Sequence, residues 1–585
     1  MRSDKTEGAA DGKIGWGSDV AAAMLRRIGF PYVSLNPGAS YRGLHDSIVN
    51  HLGNESPSMV LALHEDHAVG IAHGYAKATG EPMACILHSN VGLMHGMMAL
   101  YNAWCDRAPM FVLGATGPVD AAERRPWIDW IHTSADQGGL IRDIVKWDNQ
   151  PASAEALVEA MARANMLARS TPTAPVYVCL DAGLQEASLG EVPELPDLKQ
   201  YQPSPPPRAP TASIEAAAGI LSHAKRPLLL IGRTGWSRES WDARVRLAER
   251  LGALVFTDLR CRAAFPTDHA AHAAPPVARL TPGTREIISQ ADAILSLDWI
   301  DLGNTLDAAA KGEARPSVVH ASLDHHLHNG AHMNYHKLAP ADLRIAAAPD
   351  AVVDDLLAAL GAGIRQPWRA PLAPKQRRAG GRRISVHSMA AALRGAFPDP
   401  DKVSFAALCR GFPCELWPFH DPVAYLGKDG GGGIGSGPGL SVGAALALSS
   451  RGRETVAILG DGDFCMGAMA IWSAAHYRIP LLVLINNNHS YYNDELHQET
   501  VARRRNRAVE NRWIGQRISD PVIDIAKLAE AQGAVGIGPV TELGELERAL
   551  EKGVAILKSG GVCVVDIHVS PGEERSAAET IHARG

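Results

Sequence analysis

The sequence is short of the features that mark secreted, membrane-bound and nucleic-acid-binding proteins. Its eight cysteines (Cys85, Cys105, Cys179, Cys261, Cys409, Cys414, Cys465 and Cys563) include no CxxC pair. That scatter argues against a zinc site and against a disulfide framework, so the thiols are expected reduced and mostly buried. No stretch of about 18 uninterrupted apolar residues occurs, and the opening segment MRSDKTEGAADGKIG lacks an apolar core of signal-peptide length. The expectation is a cytoplasmic protein. A formal charge of −6 on 585 residues is too weak to make capture of nucleic acid or an anionic membrane its main business. A small-molecule substrate is expected instead. Internal repeats of solenoid period are also missing.

What is there is apolar and rich in turn residues: 46% hydrophobic, with 56 Gly and 38 Pro. The chain is too long for one core and suggests about three domains. Short apolar runs alternate with amphipathic stretches, which predicts α/β architecture with three doubly wound parallel sheets. In the first region, 12–190, the runs are MVLAL (59–63), ACIL (84–87), MFVLG (110–114) and VYVCL (176–180). A proline-dense seam, EVPELPDLKQYQPSPPPRAP, separates it from a second region at 210–365. That region offers PLLLIG, ALVFTD, ADAILSL and SVVHASLD as strands. A second seam, RQPWRAPLAPKQRRAGGRRI, precedes the third region, 385–575, where VAILGDGD, LLVLINNN and VCVVDIHV mark a sheet.

The segment ETVAILGDGDFCMGAMAIWSAAHYRIPLLVLINNNHSYYND reads strand, turn, helix, strand, turn. The first strand ends at Gly460-Asp461-Gly462, whose glycines let backbone amides approach a phosphate while the next helix adds partial positive charge. The second ends at Asn486-Asn487-Asn488. Parallel neighbours joined by one crossover open on the same edge, so Asp461 and Asn488, 27 residues apart, can meet. A carboxylate and an amide oxygen are the hard donors that magnesium takes.

A GDG turn followed by an Asn run at this offset resembles the thiamine-diphosphate signature of the decarboxylase and acetolactate-synthase superfamily. LALHEDHAVGIAHGYAKATG and LHSNVGLMHGMMALYNAW are similar to the corresponding stretch of benzoylformate decarboxylases. The resemblance implies thiamine diphosphate and Mg2+ as cofactors, with Asp461, Asn488 and the Ser490 carbonyl as metal ligands and Gly460, Gly462 and Asp463 bordering the diphosphate. Asp463 stands where relatives more usually carry Ser or Ala. Glu65, at a strand's carboxy end, takes the place of the acid that binds pyrimidine N1′, and Ile434 that of the apolar wedge beneath the cofactor. Gly432 would accept from the 4′-amino group. Gly430, Gly432 and Gly435 also spell GxGxxG, but DPVAYLGKD before them is no apolar strand, so a nicotinamide site is not expected.

By the same likeness His88 is a candidate proton donor or acceptor. Ala39 and Ser40 replace the usual active-site serine, and Asp298-Trp299-Ile300-Asp301 replaces the stretch that would bring a second histidine. Asn493, Asp494, Glu495 and His497 fall where relatives line the substrate pocket. Their polarity suits a polar substrate better than a bare phenyl ring. Arg503, Arg504, Arg505, Arg507, Arg512 and Arg517 form a basic run that could hold a phosphate-bearing group or simply face solvent or another subunit. His320, His325, His326, His328, His332 and His336 lack metal-ligand spacing and read as a loop at the middle domain's ligand edge. Acetolactate synthases hold FAD at that edge, but Ser296-Leu297-Asp298-Trp299 stands there, so FAD is not expected. The resemblance implies a 2-oxo-acid decarboxylase or carboligase, with a 2-hydroxyacyl-CoA lyase as the alternative. A catalytically silent cofactor-binding protein is a rival of another class, against which Glu65 speaks. It also implies a homodimer or tetramer with active sites at the subunit interface.

Overall fold

The computed structural model describes residues 3–570 apart from 9, 11, 277, 311–314, 325–337 and 373–382. Three wholly parallel sheets follow one another along the chain. The first holds β1 (Tyr32–Leu35), β2 (Ser58–Leu61), β3 (Met83–Leu87), β4 (Met110–Thr116), β5 (Trp147–Asn149) and β6 (Pro175–Asp181), in the order β2-β1-β3-β4-β6-β5. The second holds β7 (Pro227–Ile231), β8 (Leu254–Thr257), β9 (Ala293–Leu297), β10 (Ser317–Ala321) and β11 (Leu343–Ile345), ordered β11-β10-β9-β7-β8. The third holds β12 (Val403–Ala407), β13 (Glu454–Gly460), β14 (Leu481–Asn487), β15 (Val535–Val540) and β16 (Val562–His568), ordered β12-β13-β14-β16-β15. The expected three-sheet α/β architecture is what the chain adopts. The Pro-rich seam carries no helix or strand of its own beyond a 3-10 turn at Leu198–Tyr201. Among the described residues no helix is long and apolar enough to cross a membrane.

Strand side chains alternate between faces, so each sheet feeds two cores. Val33, Ile86, Leu113 and Val178 enter one core of the first sheet, while Cys85, Leu87, Val112 and Cys179 enter the other. That second core is continuous with the third sheet, since Ala457, Leu459, Val483 and Ile485 belong to it. The first and third domains are therefore welded through a shared interior. At the weld, helix Glu65–Thr79 crosses helix Gly437–Ser449 with almost no space between backbones. A Cβ on Gly74 would stand 1.9 Å from the Leu440 carbonyl oxygen, and one on Gly443 1.8 Å from that of Ile71.

The middle domain is tied in by Arg262. Its Nε donates to the Pro422 carbonyl (3.2 Å) and its Nη2 to that of Lys77 (3.0 Å), while Trp236 stacks under the guanidinium at 4.8 Å. One side chain thus touches all three domains.

Candidate active site

Strands β13 and β14 are paired with Gly460 opposite Asn486, which sets their carboxy tips side by side. Beyond those tips, Asp461 Oδ2 and Asn488 Oδ1 both accept from the Ser490 amide, each at 3.0 Å. The two oxygens therefore converge on one point. Asn487 is turned elsewhere, its amide donating to Asp566 Oδ1 at 2.8 Å, which leaves Asn488 as the asparagine facing Asp461. Asp461 is buried, and that burial, with the Asp566 charge adding to it, holds its carboxyl up at about 6. A desolvated acid beside an amide oxygen, with no salt bridge to a cation among the described residues, is a donor set that a divalent ion would neutralise and that oxygen-seeking Mg2+ suits. Gly462 has to lack a side chain, because a Cβ there would lie 2.5 Å from the Tyr491 ring. Gly460 closes β13 directly before the short helix Asp461–Gly467.

The loop after β14 is braced from behind. Ser490 Oγ donates to Glu495 Oε1 at 2.6 Å, and Arg517 Nε (3.1 Å) and Arg512 Nε (3.2 Å) close on the same carboxylate. Glu495 is buried and spent on these bonds. Asp494 on the same helix is exposed, and Asn493 accepts from Arg410. Of the four polar residues expected around the substrate, Glu495 thus braces the loop after β14, Asn493 is bonded to Arg410, Asp494 faces solvent and His497 is partly buried on the same helix. Half of the arginine run is paired with acids: Arg503 and Arg512 meet Glu499, and Arg517 meets Glu495. Of the histidine cluster only His320 lies within the described residues, where Nδ1 meets Ser296 Oγ at 3.0 Å. Asp298, at the edge where FAD was considered, is bonded to Arg233, which also pairs with Asp324.

Glu65 opens its helix, buried, with Oε2 3.1 Å from His95 Nδ1. Helix Ser89–Cys105 runs so close that a Cβ on Gly92 would meet Glu65 Oε1 at 3.0 Å. His64, stacked on His95 at 4.9 Å, completes a small cluster around the acid. His88 caps the start of the same helix, and its ring is fixed by Ser40. The Ser40 hydroxyl lies 2.8 Å from Nδ1 and the Ser40 amide points at the same nitrogen from 3.4 Å. The Ser89 amide in turn donates to Ser40 Oγ at 3.1 Å. Two donors facing Nδ1 make it the acceptor, which assigns the ring proton to Nε2. Burial, with His132 adding to it, pushes the His88 pKa down, so the ring is neutral at neutral pH. Ala39 beside it is exposed, while Ser40 is committed to His88.

Gly432 sits at φ +68° in a turn with open space where a Cβ would be. Ile434, two residues on, is 47% exposed, unusual for a large aliphatic residue on a loop between buried elements. The loop is held from both sides. Asn102 donates to the Ser436 hydroxyl (3.2 Å), and Asp463 Oδ1 accepts from the Gly435 amide (2.6 Å). Asp463, expected at the diphosphate border, thus ties that turn to the Ile434 loop. Sequence reading missed this tie and also His95. His95 follows His88 by seven residues, two helical turns, so it falls on the same face, a spacing that could have exposed it.

Two converging hard oxygens at adjacent strand tips, an exposed aliphatic residue on a glycine loop, and an acid opening a helix of the first domain define a class. The chain belongs to the thiamine pyrophosphate enzymes. The family's N-terminal TPP binding domain matches residues 15–140, its central domain 214–356 and its C-terminal TPP binding domain 408–567. Among individual relatives, the chain is 27% identical over 490 residues to benzoylformate decarboxylase of Pseudomonas aeruginosa, covering 80% of this chain and 85% of that one. It is 23% identical over 573 residues to the acetolactate synthase large subunit of Haemophilus influenzae, covering 95% of each. The crystal structure of benzoylformate decarboxylase from Polynucleobacter necessarius shares the fold, with a TM-score of 0.78 at 20% identity over 95% of this chain and 99% of that one.

Proposed function

We propose that the chain is a thiamine-diphosphate- and Mg2+-dependent 2-oxo-acid decarboxylase or carboligase. The carrying observation is the convergence of Asp461 Oδ2 and Asn488 Oδ1 on the Ser490 amide. In this reading Asp461, Asn488 and the Ser490 carbonyl hold the metal, and Gly460 and Gly462 border the diphosphate. When bound, the cofactor supplies a nucleophilic carbon and an electron sink for the bond being broken. Glu65 holds a proton at the pyrimidine N1′, buried where water does not compete for it. Ile434, exposed on its loop, would give the cofactor an apolar support, and the Gly432 carbonyl would accept from its amino group. His88, neutral with its proton on Nε2, gives or takes a proton at the reacting centre. Relatives named benzoylformate decarboxylase and acetolactate synthase support this chemistry.

The chain leaves Ile434, Met466, Met469, Leu63 and Met94 exposed. These apolar residues support assembly into a homodimer or tetramer with active sites between subunits. A cytoplasmic, small-molecule enzyme is the setting that fits. The test is a panel of 2-oxo acids and 2-hydroxyacyl-CoA thioesters with thiamine diphosphate and Mg2+. Release of carbon dioxide or ligated product from the oxo acids supports the proposal. Release of formyl-CoA alone would replace it with a lyase, and silence with bound cofactor would make the chain a binding protein.

A further inference from the structure

A cavity of about 1790 Å3 runs from the middle domain's strand tips to the glycine loop, and Gly432 and Ile434 lie on its wall. That is larger than a small substrate needs. Three cations line it at the glycine-loop end: Arg279 from the middle domain, and Arg410 and Lys428 from the third. Lys428 is four residues before Gly432, so its backbone is within about 14 Å of the glycine loop. Arg410 is held by Asn493, in the first turn of the helix that follows the metal-side loop. The cluster is therefore attached to both ends of the candidate active site.

The cations are close enough to repel one another. Burial lowers the pKa of Lys428 and the Arg410 charge lowers it further; burial, then Arg410 and Arg260, does the same to Arg279. Several other cations of the cavity are paired with acids, Arg260 with Asp258, Arg233 with Asp298 and Asp324, and Arg107 with Asp324, while Arg262 and Arg344 are bonded to backbone carbonyls. Among the described residues no carboxylate closes a salt bridge on Arg279, Arg410 or Lys428. The neighbouring acid, Asp429, is held up at about 7 by burial and by Asp463 and Asp106, so it carries only part of a charge at neutral pH. Like charges gathered without a counter-ion beside a reaction site are maintained for an anion that arrives with the ligand.

We propose that Arg279, Arg410 and Lys428 recognise a second anionic group on the tail of the substrate, so that the preferred substrate is a 2-oxo acid with a distal carboxylate. This rests on the decarboxylase or carboligase reading for its chemistry. The anion site itself can be tested apart from turnover. With full-length protein, thiamine diphosphate and Mg2+, kcat/KM for 2-oxoglutarate is expected to exceed that for 2-oxohexanoate, a neutral-tailed acid of similar length, by about tenfold or more. Lys428→Met and Arg410→Gln are each expected to remove about tenfold of that preference through KM, leaving 2-oxohexanoate within about twofold. Lys428→Met guards against a folding defect from loss of the Arg410–Asn493 bond.

Calorimetry with glutarate and pentanoate, neither of which can be decarboxylated by this route, reads the site without catalysis. Glutarate is expected to bind in a salt-sensitive way that both variants weaken, and pentanoate, with a single carboxylate, is expected to bind more weakly. Preference for the neutral tail, equal losses on both substrates, or glutarate binding no better than pentanoate would overturn the proposal. So would binding of ADP or inorganic phosphate that Lys428→Met abolishes while glutarate stays unbound, since the cluster would then serve a phosphate-bearing effector. Glutarate binding with no turnover of any 2-oxo acid would leave the anion site standing and bring down the catalytic reading alone.

Discussion

Glu65 is buried, against His95 and close to Gly92. Glu65→Gln keeps the shape and removes the proton affinity. Turnover is expected to fall by about 100-fold or more, while thiamine diphosphate still binds, as read by fluorescence quenching or calorimetry. Unchanged turnover would remove Glu65 from the reaction. The His88 ring depends on Ser40, whose donated hydrogen bond favours the neutral form. In Ser40→Ala that support is lost and the neutral ring is less favoured, so the His88 pKa rises toward its ordinary value. The acidic limb of the kcat profile is then expected to move to higher pH, by roughly half a unit to one unit for a bond of about 1 kcal/mol. An acidic limb that stays in place would show that His88 does not set it. Both residues were legible in the sequence because their motifs are contiguous. The Ser40–His88 bond was not, since it joins residues 48 positions apart.

At the scale of elements, the loop after β14 and the helix Tyr492–Arg504 form one unit through Glu495. The carboxylate receives a hydroxyl and two guanidinium groups, so Glu495→Gln leaves both arginines short of charge without changing volume. Mg2+ and thiamine diphosphate affinity is expected to drop about 10- to 100-fold, in keeping with a broken buried charge pair. Titrating the metal by intrinsic fluorescence reads this directly, and an unaltered affinity would show that the brace does not reach the ligands. Resemblance alone puts the helix after Ser490 at the substrate pocket, and which of its faces is buried depends on Arg512 and Arg517, folded back onto Glu495 from 17 and 22 residues downstream. Strands were legible where they are long, apolar and central, as at Met110–Thr116 and Leu481–Asn487. Trp147–Asn149, Leu343–Ile345, Val403–Ala407 and Val535–Val540 went unread because edge strands are short or weakly apolar, and Tyr32–Leu35, inside its sheet, because it is only four residues long. The pairs Gly70/Gly74 and Gly439/Gly443 were in plain view at a spacing of four, which lets two helices touch along one line, yet the partner helix is named only by the fold.

For the molecule as a whole, the proposed sharing of active sites between subunits can be read in mixed assemblies. Chains carrying Glu65→Gln and chains carrying Asp461→Ala are each expected to be nearly inactive. Unfolded and refolded together in equal amounts, they are expected to regain about a quarter of wild-type activity, because half the dimers are hybrids and one of their two sites is intact. No recovery, with hybrids shown by mass spectrometry, would place the whole site within one chain. Three domains and their order were legible from the alternation of apolar runs and the proline-rich seam. Their mutual arrangement was not, because the contacts that set it are single residues far apart in the chain. Arg262 is the clearest of these: burial drives its pKa down, Nη1 has no hydrogen-bond partner among the described residues, and its remaining bonds go to carbonyls of the first and third domains. Swinging the middle domain outward would strip both of those carbonyls of their partner at once. One wall of the cavity that reaches the glycine loop is thus kept in register by a single buried guanidinium, so that wall cannot drift without breaking bonds to two other domains.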